Sequence, residues 1–333
     1  MSACMASSLR PTPLTVQVDT PHLQQPRRPQ SPYRIQKELG SGLHGRVLRA
    51  FDEKAQRYVA IKLPAELTVD NMENRTVDLN ALDSQVNSIA LECSAMSRVQ
   101  HPNVLRVDRA VPGKKLDYDY VAMVTEFAPN GDLFELLEVK GALPEVLVKA
   151  YASQLLQALA ACHASGVVHR DVKPENLLLD ADFQLKLCDF GVAVMIPDGV
   201  CDVVSQDESG TTMYMAPEVR SKRPYRCTPV DVWSTGVVLF ILVTGLPPFN
   251  EVQRGDIWYD CLLKGDLKNF WARQPDEVKC RMTSGARDLI SKMLTANPEQ
   301  RITVAQALQH PWLQGIEHVD PALVREEVSA YLA

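Results

Sequence analysis

The hydrophobic pattern of this chain changes period once, near residue 130, and that change limits the fold more than any other feature. Before it, apolar residues alternate with polar ones, the period of a half-buried strand. Tyr33, Ile35 and Leu39 open the pattern, and Val47 to Phe51 and Tyr58 to Leu63 continue it. Val104 to Val107 and Val121 to Phe127 are expected to be further strands. One interruption, Val86, Ile89, Ala90, Cys93 and Met96, has the spacing of a helix. Residues 64 to 85, polar and acidic, read as a loop before it. Beyond the change the spacing is helical. Val148, Tyr151, Leu155, Leu159 and Cys162 form one stripe, with Pro144 expected in its first turn and Gly166 closing it. Leu177 to Leu179 and Leu185 to Leu187 read as short strands. Residues 231 to 245 are apolar on nearly all faces, which requires a helix sunk in a large core. Ala286, Leu289, Ile290 and Met293 give another helix, and Thr303 caps a last one that stops before Pro311. A small sheet-rich lobe followed by a larger helical lobe is expected, with a ligand cleft at their boundary near residue 128.

The 333 residues are enough for two such lobes, and 46% hydrophobic with 23% charged residues supplies a sizeable core. Six prolines, from Pro11 to Pro32, with few large apolar residues between them, make residues 1–32 an expected disordered tail. Thr12-Pro13, Thr20-Pro21 and Ser31-Pro32 give it hydroxyls of the kind that become phosphorylated. The net charge of −6 opposes a dedicated nucleic-acid binder. The longest strongly apolar run, Val237 to Val243, falls far short of the about 20 residues that a membrane span needs. No secretory signal follows Met1. Eight cysteines contain no Cys-x-x-Cys pair, the usage of reduced thiols in a cytoplasmic protein rather than of a zinc or redox site.

Short motifs carry the chemistry. Gly40-Ser-Gly42-Leu-His-Gly45 sits between two expected strands, where glycines permit a tight turn and bring backbone N–H groups close to phosphate. A dinucleotide-dependent enzyme would continue into a helix over 46–56, but Val47-Leu48-Arg49-Ala50-Phe51 reads as a strand. Lys62 ends the apolar run Val59-Ala60-Ile61 and needs a partner there, for which Glu92 is the candidate. Next come His169-Arg170-Asp171-Val172-Lys173-Pro174-Glu175-Asn176, then Asp189-Phe190-Gly191 thirteen residues after Asn176, then Ala216-Pro217-Glu218 and Asp231-Val232-Trp233-Ser234.

This ordered set resembles the signature of eukaryotic-type protein kinases over residues 33 to 313. Lys173 is similar to the serine/threonine-specific branch. Gly245-Leu246-Pro247-Pro248-Phe249 and His310-Pro311-Trp312 look most like the calcium/calmodulin-dependent kinase group. The resemblance implies an α+β, bilobal kinase fold: an antiparallel-sheet N-lobe over about 33–128, a helical C-lobe over about 129–313, and a short tail, 314–333, with helical spacing at Val324, Val328, Tyr331 and Leu332. It implies ATP and Mg²⁺ as cofactors, and transfer of the γ-phosphoryl group to Ser/Thr hydroxyls of proteins. Leu39, Gly40, Gly42 and Gly45 would cover the phosphates, and Lys62, directed by Glu92, would hold them. Val47, Ala60 and Leu178 would enclose the adenine, the backbones of Glu126 and Ala128 would bond its edge, and Thr125 would guard the back pocket. Asn176 and Asp189 would bind Mg²⁺. Asp171 would accept the substrate proton, Lys173 would neutralise the transferred group, and Thr211 would contact both. Met96, Val107, His169 and Phe190 would stack as a spine, Glu218 would pair with Arg301, and Asp231 would brace the catalytic loop.

Some features depart from the pattern. The 30 residues between Lys62 and Glu92 point to an acidic insertion around Asp70 to Asp83. No calcium loop is present, and Glu326 and Glu327 oppose a calmodulin target in the tail, so no direct calcium or calmodulin site is expected. Asp132 and Glu175 match acidic positions that contact arginine in relatives, implying a preference for basic peptides. Asp207 stands where an activating phosphothreonine is usual in the family, so it is expected to serve Arg170 unless the acidic loop stays disordered, and Val194 replaces a residue that is often basic in that pocket. The rival reading, an inactive kinase-fold scaffold, would show losses at Lys62, Asp171, Asn176 or Asp189, and all four are present.

Overall fold

The computed structural model describes residues 32–42, 45–65, 79–115, 118–316 and 321–332. The proline-rich stretch with its three hydroxyl-proline pairs, and most of the acidic insertion, lie outside the described residues. Five strands form one antiparallel sheet in the order β1-β2-β3-β5-β4: β1 (Tyr33–Gly42), β2 (Gly45–Asp52), β3 (Arg57–Leu63), β4 (Val107–Lys115) and β5 (Tyr118–Glu126). The strand at β2 disposes of the dinucleotide reading. In this register Val47 opposes Lys62, Arg49 opposes Ala60, and Ala60 opposes Thr125. Directly paired residues share a face, so one side of the sheet carries the side chains that meet the cleft. The other side packs Ala50, Val59, Ile61 and Val124 into a small core.

Two elements depart from expectation. Helix α1 (Leu79–Arg98) begins within the presumed loop. Buried Leu82 extends the stripe one turn back from Val86, Ile89, Cys93 and Met96, and Ala90 falls on the exposed side. Strand β4 starts where a strand was expected to end. Val104 and Leu105 instead reach the helical lobe at β8 (Leu185–Leu187), through a Val104–Leu187 bridge and a bond from the Leu105 N–H to the Leu187 carbonyl. Pro112 and Gly113 lie within β4. Proline is tolerated there because β4 is the sheet's edge.

The rest is mainly helical: α2 (Leu133–Lys140), α3 (Glu145–Ala164), α4 (Thr228–Thr244), α5 (Ile257–Leu263), α6 (Leu267–Ala272), α7 (Asp276–Arg281), α8 (Ser284–Met293), α9 (Val304–Leu308) and α10 (Pro321–Leu332). Pro144 stands just before α3, at its N-cap, not in its first turn. Short strand pairs decorate this lobe: β6 (Val167–Val168) with β9 (Val194–Met195), β7 (Leu177–Leu179) with β8 (Leu185–Leu187), and β10 (Val204–Ser205) with β11 (Tyr225–Arg226). Helix α4 is buried along nearly its whole length, as its all-round hydrophobicity required. The fold is the bilobal α+β arrangement that the sequence implied.

Candidate active site

A cleft of about 490 Å³ lies between the sheet and the helical lobe. Of the residues singled out in the sequence, Leu39, Gly40, Val47, Ala60, Lys62, Glu92, Thr125, Glu126, Ala128, Asn176, Leu178 and Asp189 line it. Gly42 and Gly45 do not line it, and pair with each other across the β1–β2 hairpin. Gly45 has φ +122°, and a Cβ there would lie 2.7 Å from the Leu63 carbonyl oxygen, so no other residue fits without displacement.

Lys62 makes the central link between the lobes. Its Nζ donates to Glu92 Oε2 at 2.6 Å and to Asp189 Oδ1 at 3.2 Å. Burial favours the neutral amine, but the Glu92 and Asp189 carboxylates outweigh it and raise the lysine above its usual range. Burial raises Glu92 above the usual carboxylate range, with the Lys62 ammonium opposing. A buried charge pair is tolerable only with such close partners.

Asp171, Lys173 and Thr211 lie beside the cleft and join it through Asn176. The Asn176 Nδ2 donates to Asp171 O at 2.8 Å and to Asp171 Oδ2 at 3.2 Å. Thr211 N donates to Asp171 Oδ1 at 2.7 Å, and Lys173 Nζ reaches Asp171 Oδ2 at 2.8 Å and Thr211 Oγ1 at 2.7 Å. Burial alone would raise Asp171. The Lys173 ammonium and the Thr211 donors prevail and hold it below 3.8. Gly210, at φ +109°, makes this approach feasible, since a Cβ there would lie 2.6 Å from the Arg170 carbonyl oxygen.

Deeper supports fix the loop. Asp231, fully buried, accepts from the backbone N–H groups of His169 at 3.0 Å and Arg170 at 2.7 Å, and bonds His163 Nε2 at 2.8 Å. His169 Nδ1 accepts from Asp171 N, so its Nε2–H donates to the Cys188 carbonyl at 2.9 Å. Its ring meets Phe190 edge-on, with centroids 4.7 Å apart. Arg301 grips Glu218 with two bonds, at 2.7 and 2.9 Å. Arg170 and Asp189 adopt left-handed φ values of +66° and +60°. Backbone strain of that kind persists where the surroundings over-determine it, and it clusters at functional sites.

Sequence reading missed several participants. His163 shares Asp231, and Met123, opposite Lys62 in the β3–β5 register, lines the cleft together with Phe127 and Cys188. The strand register was the signal for Met123. No local pattern distinguished His163 from its helical neighbours.

A family model for the protein kinase domain matches residues 33–313. The serine/threonine-protein kinase GIN4 of Saccharomyces cerevisiae is 36% identical over 292 residues, covering 85% of this chain and 24% of that protein. The CBL-interacting serine/threonine-protein kinase 24 of Arabidopsis thaliana is 34% identical over 298 residues, covering 89% and 60%. The calcium/calmodulin-dependent protein kinase type II of Caenorhabditis elegans is 33% identical over 298 residues, covering 89% and 38%. The chain thus spans 24% to 60% of the length of these relatives. Since the family model takes in most of the chain and these relatives match 85% to 89% of it, the chain belongs to the eukaryotic-type serine/threonine protein kinases.

Proposed function

We propose that the chain transfers the γ-phosphoryl group of Mg-ATP to serine and threonine hydroxyls of proteins. One observation carries this reading: Lys62, Glu92 and Asp189 are in contact inside the cleft, while Asn176 connects the cleft to Asp171. The donor set fits a hard cation. Asn176 commits its amide nitrogen to Asp171, which turns its amide oxygen away, and Asp189 offers a carboxylate one-third exposed to the cleft. Among the described residues no group of three or more His, Cys, Asp or Glu could hold a metal alone. That suits Mg²⁺, which takes one or two protein oxygens together with substrate phosphates. When bound, Mg-ATP supplies the phosphoryl group and neutralises much of its charge.

The chain's own residues supply positioning and proton handling. Lys62, kept charged by its two carboxylates, holds phosphate oxygens. The hinge backbone at Glu126 and Ala128 meets the base, while Val47, Ala60 and Leu178 enclose it and Thr125 stands behind it. Asp171 is ionised at neutral pH, orients the substrate hydroxyl and accepts its proton. Lys173 balances charge at the transferred group. Such a set of contacts opposes the inactive-scaffold reading.

Substrates with basic residues N-terminal to the acceptor fit the outer cleft. Asp132, Glu135 and Glu175 line it, and Glu175 Oε2 is buried without a hydrogen-bond partner. Asp132 is raised by burial and then by the neighbouring Glu135 and Glu175 carboxylates, despite the backbone N–H of Glu135 it accepts as cap of α2. An incoming guanidinium would relieve both conditions. Direct calmodulin control is not part of this reading, because Val324 and Val328 of α10 are already buried against the body of the domain. The cysteine usage supports a cytoplasmic location, and no helix among the described residues is long and apolar enough to cross a membrane. Purified protein on an arrayed peptide library with Mg-ATP tests the whole reading. Phosphate should enter Ser and Thr peptides, with arginine preferred upstream. Transfer to none would refute the activity, and preference for acidic or proline-directed peptides would refute the specificity.

A further inference from the structure

The cleft-facing side of the sheet continues outward past the adenine-sized slot toward Phe127. Arg49 stands opposite Ala60, and Phe51 opposite Tyr58. On this side cations and rings alternate. The Arg34 guanidinium lies 5.5 Å from the Phe51 ring centre, and Phe51 meets Tyr58 edge-on at 5.3 Å. The Arg49 guanidinium lies 4.1 Å from the Tyr58 ring centre and 5.0 Å from that of Phe127. The Arg49 Nε is buried without a hydrogen-bond partner, so ring faces hold this group in place of a carboxylate. A guanidinium suits that role because it is planar and weakly hydrated, whereas an ammonium is a compact, strongly hydrated charge.

We propose that Arg49 is a positioning residue for the nucleotide: it ties the β2–β3 hairpin to Phe127 and so fixes the backbone at Glu126 and Ala128 against which the base seats. The proposal rests on the ATP-binding reading above. Arg49 does not itself line the cleft, whereas Phe127 and both its neighbours do. The sheet and the chain after β5 are also joined at this edge by the end of one strand ladder, at the Val59–Glu126 pair, and by Tyr58, whose ring meets that of Phe127 edge-on at 6.4 Å. A clamp across that edge sets the slot's width without touching the reacting atoms. It therefore acts on nucleotide affinity and not on the transfer step.

The test compares the wild-type protein with Arg49→Ala, Arg49→Lys, Phe127→Leu and Arg49→Ala/Phe127→Leu, measuring ATP affinity, kcat at saturating ATP, and melting temperature. Arg49→Ala should weaken ATP binding about five- to thirtyfold, the size of two partly desolvated cation–ring contacts. Its kcat should stay within about twofold, the signature of lost ground-state and transition-state binding alike. Arg49→Lys should fall between, and is read in the same way should the alanine variant fail to fold. With Phe127→Leu as the background, Arg49→Ala should cost clearly less than it does in the wild type, since the contact that reaches Phe127 is already gone and only that to Tyr58 remains. Unchanged ATP affinity in Arg49→Ala, an equal loss in both backgrounds, or a lower melting temperature with affinity intact would each overturn the proposal. Failure of the wild-type protein to bind ATP would overturn the nucleotide reading and this proposal with it.

Discussion

In the proposed reaction Asp171 is the residue on which the chemistry turns, and its surroundings make its substitution informative. Its carboxylate accepts from three donors: Asn176 Nδ2, Thr211 N and Lys173 Nζ. Asp171→Asn keeps the shape but removes the proton acceptor. Phosphoryl transfer should fall by about 10²–10⁴-fold, the usual weight of a positioned base, while ATP binding and melting temperature stay near wild type. Near-wild-type turnover in that variant would mean that another group takes the proton. The pH dependence follows with a definite sign. The Lys173 ammonium and the Thr211 donors hold the Asp171 carboxyl below the usual carboxylate range, so its ionised form is complete at neutrality and is lost only as pH falls through that lowered value. A rate profile between about pH 5 and 8 should therefore carry no ionisation of Asp171, and an acid limb abolished by Asp171→Asn within that range would contradict this. At this scale the sequence was most legible, because phosphoryl transfer demands particular side chains at fixed separations. What stayed hidden were residues recruited by folding alone. His163 reaches Asp231 across 68 positions, and Met123 meets Lys62 only once β3 and β5 pair.

Elements were legible where the local pattern and the fold agree. Helix α9 is one case: Thr303 Oγ1 accepts from Gln306 N while Gln306 Oε1 accepts from Thr303 N, a capping box written in four residues. Strand β4 is the opposite case, since Pro112 and Gly113 argue for a turn and only an edge position makes them acceptable. Helix α10 was readable as amphipathic spacing, but not where it docks. It packs on α3 through Val324 and Val328, and its Tyr331 OH donates to the carbonyls of Lys140 at 3.1 Å and Ala142 at 2.7 Å, just where α2 ends. Lys140 in turn lies 5.7 Å from the Tyr331 ring centre. These contacts make α10 part of the folded body although it lies beyond the span of the family match. Val328→Ala should lower the free energy of unfolding by about 1.5–3 kcal/mol, the worth of a fully buried valine, and Tyr331→Phe by about 0.5–1.5 kcal/mol for its lost hydrogen bonding. Denaturant melts that leave both variants at the wild-type midpoint would show that α10 is not docked in solution.

For the whole molecule, the change of hydrophobic period was enough to separate two lobes, yet it said nothing of how the segment between Asp189 and Glu218 would lie across them. That segment is fastened by its own side chains and backbone. Asp202 accepts from Thr228 Oγ1 at 2.6 Å and from Arg226 Nε at 3.2 Å, β10 pairs with β11, and Tyr225 OH donates to Asp207 O at 2.5 Å. Asp207 then presents its carboxylate to Arg170 Nη2 at 3.3 Å, held by Ser209 Oγ at 2.6 Å. The hydroxyl of Ser209 first, and Arg170 as well, keep Asp207 below the usual carboxylate range, so it is charged at neutral pH. Glu208, by contrast, turns to Arg220 at 3.4 Å. The match to a phosphate is incomplete: Arg170 Nη1 is buried without a partner, and a carboxylate brings one charge where a phosphate brings about −1.5 to −2. The Asp207 side chain is 61% exposed, which limits the pair to about 0.2–1 kcal/mol, up to about fivefold in the population of the ordered segment. The expected result is measurable activity in phosphatase-treated protein, lowered up to about fivefold by Asp207→Asn and little changed by Glu208→Gln. Phosphate on Ser205 or Ser209 would add to that activity by supplying what Asp207 leaves unpaired at Arg170. An inert phosphatase-treated enzyme, or equal effects of the two substitutions, would show that Arg170 is not served by Asp207 and that the segment must be charged from outside before the lobes can work together.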